Sequence, residues 1–150
     1  MDTQVKDILR EKGSFVLTIA PEESVFSAIS KMVDHNVGSI VIVDEDGVQG
    51  IFTERDYLRD IILEERSSKT TAIRDVMTTD LIVVDPEYDA EECMAIMTEQ
   101  KIRHLPVVEQ GDSGDLAGLI SIGDCVKRLS EDRKTRIRSL EQYIKGSYQR

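Results

Sequence analysis

The feature that most constrains this chain is that it repeats itself. VKDIL at residues 5–9 matches IRDVM at 73–77, an offset of 68. Pro21–Val43 matches Pro86–Val108 at an offset of 65, and Gly50–Ile61 matches Gly118–Leu129 at 68 again. The return from 65 to 68 falls after Val108, where EQGDSGDLAG is longer than DEDGVQG. Surface loops absorb such insertions. A period of this size means that one supersecondary unit occurs twice and that the copies cover each other's apolar faces.

The apolar pattern gives the unit its form. Positions 25, 28, 29 and 32 recur as 90, 93, 94 and 97, the i, i+3, i+4, i+7 stripe of an amphipathic helix. Ser24 and Asp89 precede the stripes as N-caps, and Asp89 with Glu92 has capping-box spacing. The apolar runs Ile40–Val43 and Leu105–Val108 each lead through an acidic, glycine-containing turn to a second run, GIF or GLI, which predicts a β-hairpin. A helix follows at Asp56–Leu63 or Asp124–Leu129. A strand, Phe15–Ala20 or Leu81–Asp85, precedes the first helix and is closed by Pro21 or Pro86, where a missing N–H does no harm.

The expected fold class is therefore α/β (α+β), two β-α-β-β-α repeats packed sheet to sheet, since a unit of roughly 60 residues buries its surface poorly alone. The predicted boundaries are repeat 1 at 3–64, a polar linker at 65–72, repeat 2 at 73–130 and an amphipathic C-terminal helix at 131–148. That last helix carries Ile137, Leu140 and Ile144 beside Tyr143, with Gly146 at a C-cap position. Its stripe packs either on its own protomer or across a dimer.

Composition excludes several function classes. The net charge is −10, which argues against nucleic acid as a partner, because that affinity comes from basic surface meeting phosphate. The charge is uneven: residues 127–150 carry eight Lys/Arg and three Asp/Glu, a net of +5, which leaves −15 on residues 1–126. A basic tail lying on its own acidic body is the simpler explanation; docking on an outside acidic partner is the other. No apolar run approaches the roughly 18 residues of a membrane span, and MDTQVKDILREKG has no apolar secretory core. The expected compartment is the cytoplasm. Cys93 and Cys125 have neither disulfide-framework nor zinc spacing; Cys93 lies on the apolar stripe, as do Met32, Met94 and Met97, with Met77 as further core filler. His35 belongs at the surface. The two histidines fall in different repeats, and no HExxH, P-loop or CxxC is present, so an enzyme is not expected.

Two motifs remain. Gly50-Ile-Phe-Thr53-Glu-Arg-Asp56 recurs as Gly118-Leu-Ile-Ser121-Ile-Gly-Asp124. A hydroxyl residue ends a strand and an acid stands three residues on, at a helix start. This is the spacing of a capping box. The same geometry suits a nucleotide, with helix N–H groups and the hydroxyl for phosphate and the carboxylate for a ribose diol. The second motif enters the middle strand, as Lys101-Ile-Arg103-His104-Leu-Pro106 in one repeat and Asn36-Val-Gly38-Ser39-Ile-Val in the other. Arg103 and His104 suit phosphate or simply an exposed strand edge; Gly38 and Ser39 let a flat ring approach the backbone.

With VMTTDLIVVDP, KIRHLPVV and GLISIGDCVKRL in one repeat and SIVIVDEDGVQGIFTERDYLRDII in the other, the chain resembles the tandem cystathionine-β-synthase (CBS) domain pair, or Bateman module, over about residues 3–130. It looks most like the small stand-alone bacterial forms. The resemblance implies a pseudo-two-fold axis, two clefts between the repeats, and adenine ligands such as AMP, ADP, ATP, NAD(H) or S-adenosyl compounds. It implies that Asp56 and Asp124 hold ribose hydroxyls, that Thr53, Arg55 and Ser121 lie near phosphate, and that Arg103 and His104 reach phosphate from the other repeat. Thr18, Ile19, Val37 and Gly38, with Ser39 beside them, would line one adenine pocket, and Val83, Val84 and Ile102 the other. Gly123 stands where Arg55 stands in the first repeat, so the clefts should differ in charge. No cofactor is obligatory. A homodimer and a separate target protein are the implied partners; a ligand-free scaffold is the alternative.

Overall fold

The computed structural model describes residues 3–110 and 114–148, with side chains apart from those of residues 136 and 139–148. The elements in order are α1 (Val5–Lys12), β1 (Thr18–Ile19), α2 (Val25–Asp34), β2 (Ser39–Asp44), β3 (Gly47–Thr53), a short α3 (Glu54–Asp56) that runs into a π-helical stretch (Tyr57–Ile62), a 3₁₀ turn (Ile73–Asp75), α4 (Ala90–Gln100), β4 (His104–Val108), β5 (Leu116–Ser121) and α5 (Ile122–Tyr148). The mixed α and β architecture is the one expected. The predicted caps form: the Ser24 side chain accepts from the Ser27 N–H and Asp89 accepts from the Glu92 N–H. The helix stripes are core, with Val25, Ala28 and Met32 buried on α2 and Ala90, Cys93 and Met97 on α4. No described helix is long and apolar enough to cross a membrane.

The two sheets are equivalent but not equal. In the first, β1 runs parallel to β2, which pairs antiparallel with β3. In the second, β4 and β5 form the hairpin, and the strand expected at Leu81–Asp85 shrinks to a single parallel bridge, Val84 to Val107. The reason lies at one aligned position. In the first repeat the Val41 N–H donates to the Leu17 carbonyl at 3.0 Å. Its counterpart is Pro106, which has no N–H to give, so the ladder loses that rung.

The chain crosses over between the repeats. Val5 and Ile8 of α1 are buried with Val84, Ala90, Cys93, Met97, Leu105, Val107 and Ile120, the second core. Ile73 and Val76 are buried with Ile19, Val25, Met32, Ile40, Ile42, Phe52 and Ile61, the first. The segment leading into each repeat thus closes the other. The hydrogen bonds repeat the pattern: Val25 N–H to the Thr71 carbonyl and Ile73 N–H to Glu23 on one side, Val5 N–H to Tyr88 and Ala90 N–H to Thr3 on the other. Gly50 and Gly118 make the approach possible. A Cβ at Gly50 would sit 2.7 Å from the Met77 sulfur and 2.8 Å from the Thr78 carbonyl; one at Gly118 would sit 2.7 Å from the Leu9 side chain. Met77 and Leu9 are aligned residues, so the pseudo-two-fold holds down to individual contacts.

One expectation fails on helix length. The sequence reading separated a helix at Asp124–Leu129 from a tail helix at Glu131–Gly146, closed by Gly146. The two are one continuous helix, α5, with Gly146 inside it. No proline or glycine lies between Asp124 and Gly146 to interrupt it. Arg128 joins it to α1, donating to the Asp7 carbonyl and to Glu11 and Asp132 carboxylates. Of the tail stripe, Ile137 is exposed; Leu140, Tyr143 and Ile144 lie outside the described side chains.

Candidate functional site

Both hydroxyl-x-x-Asp motifs are capping boxes. The Asp56 N–H donates to Thr53 Oγ1 at 3.2 Å and the Thr53 N–H donates to Asp56 Oδ2 at 3.0 Å. The Asp124 N–H and Ser121 Oγ, 3.1 Å, and the Ser121 N–H and Asp124 Oδ2, 2.8 Å, repeat this. The first amide of each helix is also taken: Glu54 donates to the Gly38 carbonyl and Ile122 to the Arg103 carbonyl. The expectation that these helix starts offer a set of unused N–H groups to phosphate is therefore corrected. The chemistry at these helix starts therefore falls mainly to side chains.

Those side chains converge. A cleft of about 580 Å³ opens between the repeats. Its first wall comes from Gly38, Ile51, Thr53, Glu54, Arg55, Asp56 and Arg59, and its second from Thr78, Asp80, Leu81, Ile82, Lys101, Ile102, Arg103 and His104. Four cationic side chains, Arg55, Arg59, Lys101 and Arg103, face three acidic ones. Asp56 is only 6% exposed and is one of two buried polar residues among those described. Both oxygens of its carboxylate have partners, because Oδ1 accepts from Arg59 at 2.9 Å while Oδ2 serves the cap. Lys101 reaches the cleft from a left-handed backbone conformation, φ 57°. Its aligned partner, Asn36, has φ 54°. Asparagine tolerates that region, whereas lysine pays a steric cost there, a local conflict of the kind found beside ligand sites.

The second motif pair is wired differently. Asp124 Oδ2 accepts the Lys12 ammonium at 2.6 Å, and Lys12 also donates to the Leu119 carbonyl at 2.8 Å. Burial pushes the Asp124 carboxyl up, but the Lys12 ammonium and the Ser121 N–H outweigh it and hold the group below its ordinary value. His104 lies between the motif pairs, opposite Ser121 in the hairpin register. Burial, then Lys12, pushes its imidazole below the usual histidine range, against Asp124 and Asp56, which pull upward. Its surroundings therefore favour the neutral ring over the imidazolium.

The CBS domain profile matches residues 5–63 and again 73–131. The chain belongs to the CBS domain family. The CBS domain-containing protein CBSX3, mitochondrial, of Arabidopsis thaliana is 38% identical over 155 residues, covering 97% of this chain and 74% of its own. The crystal structure of the CBS domain NE2398 superposes with a TM-score of 0.79 at 40% identity, covering 86% of this chain and 98% of its own. The CBS domain pair of MJ0100, crystallised in complex with 5′-methylthioadenosine and S-adenosyl-L-methionine, superposes with a TM-score of 0.74 at 25% identity, covering 89% and 99%.

Within this CBS pair the structure brings together Gly38, Thr53, Arg55, Asp56, Ile102, Arg103 and His104 of the residues singled out from sequence. Gly38 and Ile102, assigned to separate adenine pockets, share one cleft. Ile19 and Val84 point into the two cores, so a ligand would meet their backbone rather than their side chains. Ser39 is buried opposite Thr53 in the hairpin. Thr18, Val37 and Val83 are exposed and stand outside the wall of this cleft, as do Ser121 and Asp124. Sequence reasoning missed Arg59, Lys101, Asp80 and Lys12. Arg59 was accessible in principle, since it lies three residues from Asp56 on one helix face. Lys12 and Asp80 reach their sites only through the crossover. Cys125 is fully buried in the second core with Cys93; burial pushes their thiols up to about 11 and about 12 respectively.

Proposed function

We propose that this CBS pair binds an adenine nucleotide in the cleft between its repeats and transmits the occupancy to a partner protein, without catalysing a reaction on the ligand. The carrying observation is the convergence, in one cleft, of a buried carboxylate with four cationic side chains from both repeats. A volume of about 580 Å³ falls within the usual range for small-molecule sites, about 300–1,000 Å³. Ile51, Leu81, Ile82 and Ile102 offer an apolar bed for a base, Asp56 an acceptor for a ribose diol, and Arg55, Lys101 and Arg103 donors for phosphate. Because the chain as a whole is acidic, with a net charge of −10, only such a local cluster can hold a polyanion. The MJ0100 complex with adenosine-derived ligands supports the same chemical class. Calorimetric titration with AMP, ADP, ATP, NAD and S-adenosylmethionine tests the reading. Binding of at least one is expected, with affinity rising with phosphate number; no heat and no melting shift at millimolar concentration would end it.

A second reading, a ligand-free dimerisation module, draws on exposed apolar residues. Phe26 and Val33 on α2 and Leu58, Ile62 and Leu63 on and just after the π-helical stretch are all 48–76% exposed. We infer a homodimer through this helical face. Sedimentation of wild type and Val33→Glu at micromolar concentration tests it; a monomeric wild type would refute the dimer while leaving the nucleotide reading in place.

A further inference from the structure

We propose that Lys12 is the residue that sets the difference between the two ribose sites, by acting as an internal occupant of the second. This rests on the nucleotide reading above. In the first cleft Asp56 is paired with Arg59, a residue of its own helical segment whose guanidinium also holds Asp60 at 2.9 Å. A diol arriving at Asp56 can displace Arg59 without leaving it unpaired. At the second motif, the partner of Asp124 comes from α1, more than a hundred residues away in sequence, and its ammonium has two acceptors at 2.6 and 2.8 Å. Both acceptors are lost if Lys12 is pushed out.

The crossover makes this asymmetry possible. The segment that follows Met77 brings the Asp80 carboxylate to the first cleft. The first cleft therefore receives a carboxylate from the segment after Met77, while Asp124 receives an ammonium from the end of α1. Lys12 is partly shielded, its side chain 36% exposed, and the Asp124 side chain is 24% exposed. A ribose hydroxyl reaching Asp124 competes with a charged donor already in place. Displacing that ammonium costs Lys12 both of its acceptors, whereas Arg59 keeps Asp60 when Asp56 is taken. The second site should open only at higher ligand concentration, and opening it should detach the end of α1 from β5.

The test is calorimetric titration of the wild type, Lys12→Met and Lys12→Arg with adenosine and with AMP, each also in the Asp56→Asn background that weakens the first site. Lys12→Met is expected to tighten second-site binding of adenosine by about two- to fivefold, the effect of removing one partly exposed ion pair. Lys12→Arg should retain wild-type behaviour. Melting curves of the variants without ligand confirm that each is folded, and unchanged first-site affinity in Lys12→Met serves as the control. Second-site affinity that is unchanged in Lys12→Met, or that falls for AMP, would overturn the proposal, the latter by making Lys12 a phosphate donor. First-site binding with no gain at the second site refutes this inference alone; no binding at either site in any variant removes the nucleotide reading and this inference together.

Discussion

Replacing Asp56 by alanine separates the two roles that one carboxylate holds. As a cap, Asp56 accepts from the Thr53 N–H at 3.0 Å, and losing such a cap costs about 1 kcal/mol. The Arg59 bond adds little to that loss, because the Arg59 side chain is 58% exposed and keeps Asp60 as a partner, so about 0–1 kcal/mol after screening. A stability loss of about 1–2 kcal/mol, or roughly 2–8 °C in melting temperature, is expected. As a ribose acceptor the carboxylate makes bonds to a charged group, each worth about 1.5–3 kcal/mol. Removing it should weaken AMP by roughly ten- to a hundredfold beyond any effect of lower stability. The assay is a double-mutant cycle, AMP against 2′-deoxy-AMP on wild type and variant, read by calorimetry at a temperature where both proteins are folded. Wild type should prefer the ribose form by roughly tenfold, the worth of one such bond, and the variant should lose that preference. If both ligands weaken alike and the preference survives, Asp56 is a cap and nothing more.

The other expectations follow from the same geometry. Arg103→Ala should lower affinity for ATP more than for AMP and leave adenosine nearly unaffected, with Lys at 103 restoring only part, since a lysine lacks the planar fork; equal losses across the three would place this strand start away from phosphate. Gly50→Ala should destabilise by about 1–3 kcal/mol in urea melts, because its Cβ meets the Thr78 backbone as well as Met77, whereas Gly118→Ala should cost less because only the end of the Leu9 side chain must move; the reverse order would contradict the packing. His104 binds a proton less readily in the folded chain than in the unfolded one, chiefly through burial. Its contribution to stability is whole above about pH 6.5 and is lost as pH falls through the lower folded value. His104→Gln should flatten that acid-side loss in urea melts between pH 7.5 and 5. A phosphate contact through His104 should likewise tighten only below about pH 6.5, not near neutrality.

Much of the fold was legible because it is local. An apolar period of 3.6 or 2, a hydroxyl three residues before an acid, and a Gly in an acidic turn each act within one element, and the repeat offset then doubles every observation. The helix caps at Ser24 and Asp89, the two hairpins and the capping boxes at Thr53 and Ser121 all stand where the pattern put them. The cleft residues with strong chemistry, Thr53, Arg55, Asp56, Arg103 and His104, were legible for the same reason, as short motifs at matched positions.

What the tertiary structure decided concerns partners distant along the chain. Whether Ile19 and Val84 face a ligand or a core depends on which strand lies beside them, and both turned inward. Pro106 looked like an ordinary strand residue until the sheet showed which N–H it withheld. Above all, the crossover sends α1 to the second repeat and residues 73–76 to the first, so that Lys12 reaches Asp124 and Asp80 reaches the cleft beside Asp56. Periodicity records which face of an element is apolar, but it carries no information on which of two nearly identical apolar faces will cover it. That choice is made by the packing of the whole chain, where Leu9 and Met77 settle against Gly118 and Gly50 at contact distances that only a missing side chain allows.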